Sequence, residues 1–423
     1  MTKIEKGVPY SPGGPKRKKT EPGKALNDMA CPVCSSMNLE PIFPAHEGEC
    51  ITSDMRIIAA SHIRNRLCSE CGFIFNGGGP RGRTEEFYRR TYQLRMHNDN
   101  AKNINFSDQG AKSMARAVAE FVAETVKPGS VGSLLEAGAG KGEFLVEFLA
   151  MYPEWSTLAF EPSAAAKRLA ERLPGTRVFQ QDFETISLTE TFDLVVSLFV
   201  IEHVERPVEF LRWLRARMND QGQLLVTFPD FAKNPNDLFC VDHLSKLTAS
   251  HLKMVAGMAG LQIVAIRHVG IALLALLQRS DKSPLQTSIV SESRELIRQN
   301  EILARGMIAA VRAARDAAHA KGERMAVFGL GMSGLFGPIL SGFDRSEIAA
   351  YVDENETMHG ARIGGVPVVG LHDVNALGLK HIAISASPVY WSQIVQKLSG
   401  LNTTVYVRMR RHRSSGLSGP RPE

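Results

Sequence analysis

Short apolar runs alternate with helical patterns through the centre of the chain, from Gly132 to about Gly270. Such runs predict buried strands, and strands that alternate with helices predict a parallel sheet covered by helices on both faces. We therefore predict an α/β domain over residues 86–279, with strands at SLLEAGA, STLAFEP, RVFQQDF, FDLVVSLF, GQLLVTF and LQIVAIRHV. Its first part, residues 86–128, is predicted to be helical, with an apolar face formed by Phe121, Val122 and Val126.

A second α/β pattern follows towards the C-terminus, and we assign it to residues 322–409. Its strand candidates are MAVFGLGMSG, EIAAYVDEN, GVPVVG, HIAISAS and TTVYVRM. Residues 280–321 lack strand signals and contain RELIRQNEILARGMIAAVRAARDAAHAKG, which predicts one long amphipathic helix. We predict that this helix links the two α/β domains.

Composition supports a protein of several soluble domains. The chain has 423 residues, 44% of them hydrophobic and 22% charged, which is long enough for two or three cores. No apolar run reaches the ~18 to 20 residues of a membrane helix, and the first residues lack a signal-peptide pattern, so we expect a cytoplasmic protein. The formal charge of +6 lies largely in two tails predicted to be disordered, 1–27 and 410–423, whose basic runs leave polyanion binding open.

Four of the six cysteines form two Cys-x-x-Cys pairs within residues 28–85. Two such pairs can present four thiolates to one tetrahedral zinc, and a closed four-sulfur site is structural because no coordination position stays open. The zinc would stabilise a module too small to fold alone. A redox dithiol is the alternative interpretation, although a single pair would suffice for it. The predicted ligands are Cys31, Cys34, Cys68 and Cys71.

The first strand of the central domain ends in a glycine-rich turn that leads into a helix. The segment reads Glu136-Ala-Gly138-Ala-Gly140-Lys-Gly142, with glycine at alternate positions. Glycine is needed where a backbone closely approaches a ligand at strand ends. The Glu136 carboxylate can accept a hydrogen bond from a positively charged amino group, which a loop built for phosphate would not require.

Acidic residues also end the next two strands. Glu161 lies 25 positions after Glu136 and can accept hydrogen bonds from both hydroxyls of a ribose, while Asp182 and Phe183 can contact an adenine. Leu198, near the end of the fourth strand, completes the predicted cofactor site. A dinucleotide-binding Rossmann unit also combines glycines with a following acid, but its pattern is G-x-G-x-x-G rather than E-x-G-x-G-x-G.

These elements, over residues 115–270, resemble the class I S-adenosylmethionine-dependent methyltransferases. The whole arrangement resembles the sugar C-methyltransferases, which have an N-terminal zinc module, a methyltransferase domain and a second Rossmann-like domain. That resemblance implies an α/β fold, S-adenosylmethionine and structural zinc as cofactors, and methylation of a nucleotide-linked keto-sugar at a carbon beside the ketone. It also implies that the C-terminal domain helps to hold the sugar nucleotide. The C-terminal match rests on VFGLGMSG, YVDEN and IGGVPVV.

Where that family shows a Tyr-x-Glu-His motif, this chain reads Cys240-Val241-Asp242-His243. The resemblance implies that His243 is the base that removes the proton beside the carbonyl, with Asp242 orienting it or shifting its pKa. Because cysteine and aspartate replace tyrosine and glutamate, the identity of the substrate stays open. Helix capping by His243 is the alternative interpretation.

Three further residues are candidates for the acceptor site. The fourth strand is followed by Glu202 and His203, which match a Glu-His pair beside the cofactor in the resembling enzymes. His203 is the second candidate for acid or base, or it has only a positioning role. Tyr92 is a candidate for a hydroxyl group in the pocket.

Other functions fit parts of the same pattern. The acceptor atom could be oxygen or nitrogen, and the basic tails with the zinc module leave RNA modification as a weaker alternative. Gly329, Gly331 and Gly334, followed by Asp353, fit the G-x-G-x-x-G fingerprint of dinucleotide-binding proteins. The C-terminal unit could therefore bind a dinucleotide, hold the nucleotide-linked sugar or have a purely structural role.

Overall fold

The computed structural model describes residues 29–91, 104–107, 110–281 and 288–407. The N-terminal tail and Tyr92 lie outside the described residues, as does the C-terminal tail from residue 408 onward. None of the described helices combines the length and the apolar character needed to cross a bilayer.

The N-terminal sheet has three antiparallel strands in the order β1-β2-β3, and a short helix follows it. The next described residues form a two-stranded hairpin and a helix, so the expectation of a helical stretch over 86–128 is wrong in its middle part. The hairpin strands read INFS and GAKS, and four residues are too few to show the alternation of a strand. The elements are β1 (Leu39–Ile51), β2 (Ile57–Cys68), β3 (Ile74–Asn76), α1 (Thr84–Arg90), β4 (Ile104–Ser107), β5 (Gly110–Ser113) and α2 (Met114–Thr125).

The central sheet has seven strands in the order β11-β12-β10-β9-β6-β7-β8. All six predicted strands are present. β12 runs antiparallel to both of its neighbours, and the other six strands are mutually parallel. The strands are β6 (Ser133–Ala137), β7 (Ser156–Phe160), β8 (Arg177–Phe179), β9 (Phe192–Leu198), β10 (Met218–Pro229), β11 (Leu261–Val269) and β12 (Ala272–Arg279); the helices are α3 (Glu143–Met151), α4 (Ala165–Arg172), α5 (Pro207–Arg215) and α6 (Ala249–Met258).

The C-terminal sheet has six strands in the order β15-β16-β14-β13-β17-β18, and only the edge strand β15 is antiparallel to its neighbour. Every strand predicted for this region is observed. The elements are α7 (Val290–His319), β13 (Met325–Phe328), α8 (Met332–Ser341), β14 (Ile348–Val352), β15 (Arg362–Ile363), β16 (Val366–Val369), α9 (Asp373–Ala376), β17 (His381–Ile384), α10 (Trp391–Leu398) and β18 (Thr404–Tyr406). Four single-turn helices, at Pro235–Phe239, Arg345–Glu347, Glu356–Met358 and Pro388–Tyr390, lie in loops.

The long helix α7 does more than connect two α/β units. It begins ten residues later than the predicted linker of 280–321, and its buried side chains share one core with strands of the C-terminal sheet. The amphipathic pattern identified the helix correctly, but it could not show which sheet the apolar face packs against. The residues of this face include Ile297, Ala304, Ile308, Val311, Ala314 and Ala318.

Phe239 joins the three sheet regions through aromatic contacts. Its ring centroid lies 6.0 Å from that of Phe43 in β1 and 5.7 Å from that of Phe336 in α8, and its side chain is fully buried.

We expect Phe239→Ala to lower the free energy of unfolding by about 3–5 kcal/mol, because it removes a ring from a close-packed junction. Urea denaturation followed by circular dichroism measures this change. Leu377→Ala, at a site that is 54% exposed, is the control and should change stability by less than about 0.5 kcal/mol. A small effect of Phe239→Ala would show that the junction adds little to stability.

Candidate functional site

A cavity of about 1120 Å³ lies between the central and C-terminal sheets. In each sheet the strand order reverses beside the first strand, between β6 and β9 and between β13 and β17. Ligands of open parallel sheets bind outside the carboxyl ends of the strands at such reversals. Residues that follow β6 and β13 both line the cavity, so the two crevices open into one space.

The turn after β6 has the shape that its glycines predict. Gly138 and Gly142 have φ angles of 75° and 73°, which favour glycine. A Cβ atom on Gly138 would lie 2.4 Å from Cγ2 of Val200, so a larger residue would displace the cavity wall. Gly142 is not part of that wall. A Cβ atom there would lie 2.3 Å from Cδ1 of Leu169, so Gly142 permits the start of α3 rather than contact with a ligand.

Two carboxyl groups, those of Glu136 and Glu161, lie at the ends of β6 and β7, as predicted from the sequence. Glu136 is 2% exposed, and its Oε2 atom has no hydrogen-bond partner among the described residues. Burial, together with the charges of Glu161 and Glu143, raises the pKa of Glu136 well above its usual value. Glu161 accepts hydrogen bonds from the backbone N–H of Gly140 at 2.8 Å and of Ser163 at 2.9 Å. A positively charged ligand amino group beside Glu136 would therefore stabilise its ionised form.

Most of the predicted cofactor residues face the cavity. Phe183 follows β8 and packs edge-to-face on Phe210, with 4.9 Å between the ring centroids. This contact fixes the orientation of the Phe183 ring in the cavity wall. The predicted residues that line the cavity are Glu136, Gly138, Gly140, Glu161, Asp182, Phe183 and Leu198.

A buried polar cluster forms another part of the cavity wall. Nδ1 of His243 contacts the carboxylate of Asp237, and the rings of His243 and His203 lie 4.8 Å apart. Nδ1 of His203 lies 2.7 Å from the hydroxyl oxygen of Tyr88 and 2.9 Å from the backbone carbonyl oxygen of Asp242. The side chains of Asp237, His203 and His243 are each at least nine-tenths buried. The cluster is therefore shielded from bulk water except through the cavity.

The two histidines have opposite proton affinities. Burial and, next to it, the charge of the nearby His243 lower the pKa of His203 to about 4. Burial also acts to lower the pKa of His243, but the adjacent Asp237 outweighs it, so this pKa is raised above its usual value. Asp237 itself stays ionised, because nearby Lys246 and His243 outweigh its burial and lower its pKa. His243 is therefore the more basic of the two histidines.

The structure corrects one part of the predicted role of Asp242 and supports the other: its charge helps to raise the pKa of His243, but it does not orient the ring. The Asp242 carboxylate accepts hydrogen bonds from the backbone N–H and the hydroxyl of Ser53, both at 2.7 Å, so Asp237 rather than Asp242 orients the imidazole. The prediction missed Asp237 because the contact depends on the single-turn helix at Pro235–Phe239, which no spacing rule specifies. The prediction for Tyr92 stays untested because that residue lies outside the described residues; among the described tyrosines, Tyr88 and Tyr390 line the cavity.

Comparison with known proteins identifies the central part of the chain. Residues 108–266 match a family model described as a methyltransferase domain. This part of the chain is a methyltransferase domain. Its sheet has the strand order of the class I methyltransferase fold, including the antiparallel strand inserted next to the edge strand.

Solved methyltransferases are similar to part of the chain. The mitomycin 7-O-methyltransferase MmcR is 17% identical, with 40% of this chain and 55% of that chain covered and a TM-score of 0.36. The chain thus spans little more than half the length of that enzyme. The glycopeptide N-methyltransferase MtfA is also 17% identical, with 39% and 90% covered and a TM-score of 0.34. Among curated proteins, none matches the chain significantly.

The four cysteines ahead of the methyltransferase domain come together as predicted. Sγ of Cys31 lies 3.7 Å from that of Cys71, and Sγ of Cys34 lies 3.5 Å from that of Cys68. All four sulfur atoms lie within 4.8 Å of one another, and none forms a disulfide. A tetrahedral zinc with Zn–S bonds of about 2.3 Å separates its sulfurs by about 3.8 Å. The donor atoms and their spacing therefore fit a zinc ion.

The glycines of the C-terminal sheet that fit a dinucleotide-binding fingerprint lie in a segment that packs against other parts of the protein. The backbone N–H of Ser333, in the first turn of α8, donates to Oδ1 of Asn236 at 2.8 Å. A Cβ atom on Gly331 would lie 2.0 Å from the carbonyl oxygen of Ser385. The helix terminus that would bind a pyrophosphate is thus in contact with the methyltransferase domain itself. These contacts favour holding or structural roles over the dinucleotide-binding alternative.

Gly138→Ala tests the cofactor site. Both the φ angle of 75° and the 2.4 Å approach to Val200 oppose a side chain at this position. We expect S-adenosylmethionine to bind at least about tenfold more weakly, which corresponds to about 1.4 kcal/mol. Isothermal titration calorimetry measures the affinity. Gly175→Ala is the matched control, since a Cβ atom there meets nothing within 4 Å. Equal affinities in both variants would contradict this location of the cofactor.

Proposed function

We propose that the whole protein is an S-adenosylmethionine-dependent methyltransferase that methylates a small molecule at a carbon beside a ketone. The acceptor that fits this proposal best is a nucleotide-linked keto-sugar. One observation carries it: His243, oriented by a buried carboxylate, faces the same cavity as the glycine turn of the cofactor site. Carbon methylation requires such a base, because a C–H beside a carbonyl becomes nucleophilic only after it loses its proton.

In the proposed reaction, His243 removes the proton. Nδ1 of His243 faces Asp237, so Nε2 is the ring nitrogen that accepts the proton from the acceptor carbon. The electron pair of the broken C–H bond forms the enolate. S-adenosylmethionine supplies an electrophilic methyl group; the new C–CH₃ bond forms as the S–CH₃ bond breaks, which leaves a neutral thioether. The imidazolium then returns its proton to water. His203, which Tyr88 contacts, is the second candidate for the base.

The cavity supports a large acceptor. Its volume of about 1120 Å³ exceeds the range of about 300–1,000 Å³ of pockets for one drug-sized ligand, so it has room for the cofactor and a second molecule. Residues of the C-terminal sheet region, including Asn355, Ser387 and Gln393, line the side opposite the cofactor turn. We propose that this region holds the part of the acceptor that does not react.

The cysteine cluster supports a structural zinc. We propose that Cys31, Cys34, Cys68 and Cys71 hold the ion, that residues 28–85 form the zinc module, and that the protein works in the reducing cytoplasm. The tip of the β1–β2 hairpin reaches the acceptor site, where Ser53 binds the Asp242 carboxylate. The zinc would therefore help to hold a part of the active-site wall in place.

Mass spectrometry of reactions with S-adenosylmethionine and a panel of nucleotide-linked keto-sugars tests the function. We expect one added methyl group on a sugar carbon, and a loss of about 10²- to 10⁴-fold in rate for His243→Ala because the base is gone. His319→Ala, on the exposed end of α7, is the control with unchanged rate.

Since the base works in its neutral form, activity should increase with pH through a pKa above about 6.5.

Other outcomes of that assay would favour the alternative acceptors. Methylation of an oxygen or nitrogen atom would replace the C-methylation proposal, and NMR spectroscopy of the product identifies the atom. Full activity of His243→Ala together with loss in His203→Ala would transfer the base role to His203. Intact cofactor binding without methylation of any keto-sugar would contradict the proposed acceptor class and leave the methyltransferase domain unaffected.

Metal analysis tests the zinc proposal. We expect one zinc ion per chain by inductively coupled plasma mass spectrometry, and close to none in Cys34→Ser, because a three-sulfur site binds zinc more weakly. Cys50→Ala, which changes a buried cysteine outside the cluster, is the control and should retain its zinc. Retention of a full equivalent by Cys34→Ser would contradict the assignment.

A further inference from the structure

Glu202 is a buried carboxyl group whose hydrogen-bonding capacity is unused. It is 2% exposed, and neither Oε1 nor Oε2 has a hydrogen-bond partner within the part of the chain that the structure describes. A buried carboxyl without a partner costs free energy, so its position needs a reason. Glu202 lines the cavity, which suggests that its partner is a bound molecule.

The neighbours of Glu202 define what that partner can be. Donor or acceptor atoms of Glu202, His203 and His243 all lie within 4.8 Å of one another, so a molecule whose proton reaches His243 also lies beside Glu202. When His243 removes a proton beside a carbonyl, negative charge develops on the carbonyl oxygen, two bonds from the carbon that loses the proton. A hydrogen-bond donor at Glu202 is within reach of that oxygen.

The surrounding charges favour a neutral Glu202. Asp237 and Asp242 are completely buried carboxylates with lowered pKa values, and Lys246 is a completely buried ammonium group. When His243 is neutral, the charge of Lys246 balances only one of the two aspartates. An ionised Glu202 would then add a second negative charge that no positive charge balances. Burial is the largest influence on Glu202, followed by the opposing effect of His243 and then by the two aspartates; together they raise its pKa to about 8.

We propose that Glu202 acts as a neutral carboxylic acid that donates a hydrogen bond to the enolate oxygen of the acceptor. This assignment rests on the proposed C-methylation. Glu202 is then a catalytic residue: its O–H stabilises the charge that forms when the C–H bond breaks, while its proton stays on the carboxyl group. The base and the donor are thus two side chains of the same buried cluster with separate tasks.

Two substitutions separate donation from the other roles of a carboxyl group. Glu202→Gln keeps an uncharged hydrogen-bond donor of nearly the same shape, and Glu202→Met removes the donor at similar volume. We expect Glu202→Gln to stay within about tenfold of the natural enzyme and Glu202→Met to lose about 10²- to 10³-fold in kcat, as for loss of one oxyanion donor. KM should change little in both variants. The affinity for S-adenosylmethionine, measured by calorimetry, should be unchanged.

Two further readouts distinguish catalysis from support of the fold. Exchange of the acceptor's proton in D₂O without the cofactor should persist in Glu202→Gln and disappear in Glu202→Met, since it reports enolate formation alone. The rate of the natural enzyme should decrease above about pH 8, where Glu202 loses its proton, and this decrease should be absent in Glu202→Gln. The charged and titratable groups facing Glu202 are His203, His243, Asp237, Asp242 and Lys246, and all are retained in both variants.

An inactive Glu202→Gln would overturn the proposal, because it would mean that the ionised carboxylate is required. Activity of the natural enzyme that depends on an added divalent cation, with Glu202 and the two histidines as ligands, would also overturn it. If the natural enzyme methylates no keto-sugar, the proposed function fails separately. Infrared spectroscopy at pH 7 then decides about Glu202: a protonated carboxyl band that disappears in Glu202→Gln supports a neutral acid, and its absence contradicts one.

Discussion

The segment between β10 and α6 depends on buried hydrogen bonds that link it to two other units of the molecule, the C-terminal sheet region and the N-terminal hairpin. Asn236 donates to the carbonyl oxygen of Ser385 in the C-terminal sheet region, and Asp242 accepts from Ser53 at the tip of the N-terminal hairpin. Lys246 donates to carbonyl oxygens within the segment itself. Buried polar groups of this kind are costly without their partners, so each bond requires its own unit to be in place. The acceptor side of the cavity therefore forms only when all three units are packed together.

The same segment sets the electrostatics of the site. Asp237 and His243 are six residues apart, and the intervening turn brings the carboxylate to one nitrogen of the imidazole. A charge pair interacts more strongly in a buried environment than in water. The adjacent Asp237 therefore helps to raise the pKa of His243, whereas burial and the nearby His243 lower the pKa of His203. Two histidines with ring centroids 4.8 Å apart thus differ in basicity because Asp237 is in direct contact with Nδ1 of His243, whereas the Asp242 carboxylate lies 3.7 Å from Nδ1 of His203.

Local patterns predicted the cofactor side much better than the acceptor side. Glu136 and Glu161 follow directly from strand ends and spacing, because the carboxyl ends of adjacent parallel strands lie at one sheet edge. β12 was not predicted, since ALLALLQR is a continuous apolar run without the alternation that distinguishes a strand from a buried helix. The partners of Asp242 and His243 could not be predicted either. Both depend on how distant segments pack, and a four-residue motif contains no information about Ser53, which lies 189 positions away.

The two glycine patterns show that a sequence motif can determine the local backbone conformation without determining whether a ligand binds there. At Gly138 and at Gly331 the sequence removes a side chain so that another group can approach the backbone closely. At Gly138 the side chain of Val200 approaches the backbone, and both residues form part of the cavity wall. At Gly331 the backbone carbonyl of Ser385 already occupies the place of a Cβ atom, and Asn236 binds the start of the following helix. A glycine-rich turn after the first strand thus borders the cavity in one sheet and permits packing between units in the other, because the neighbouring chain segments differ.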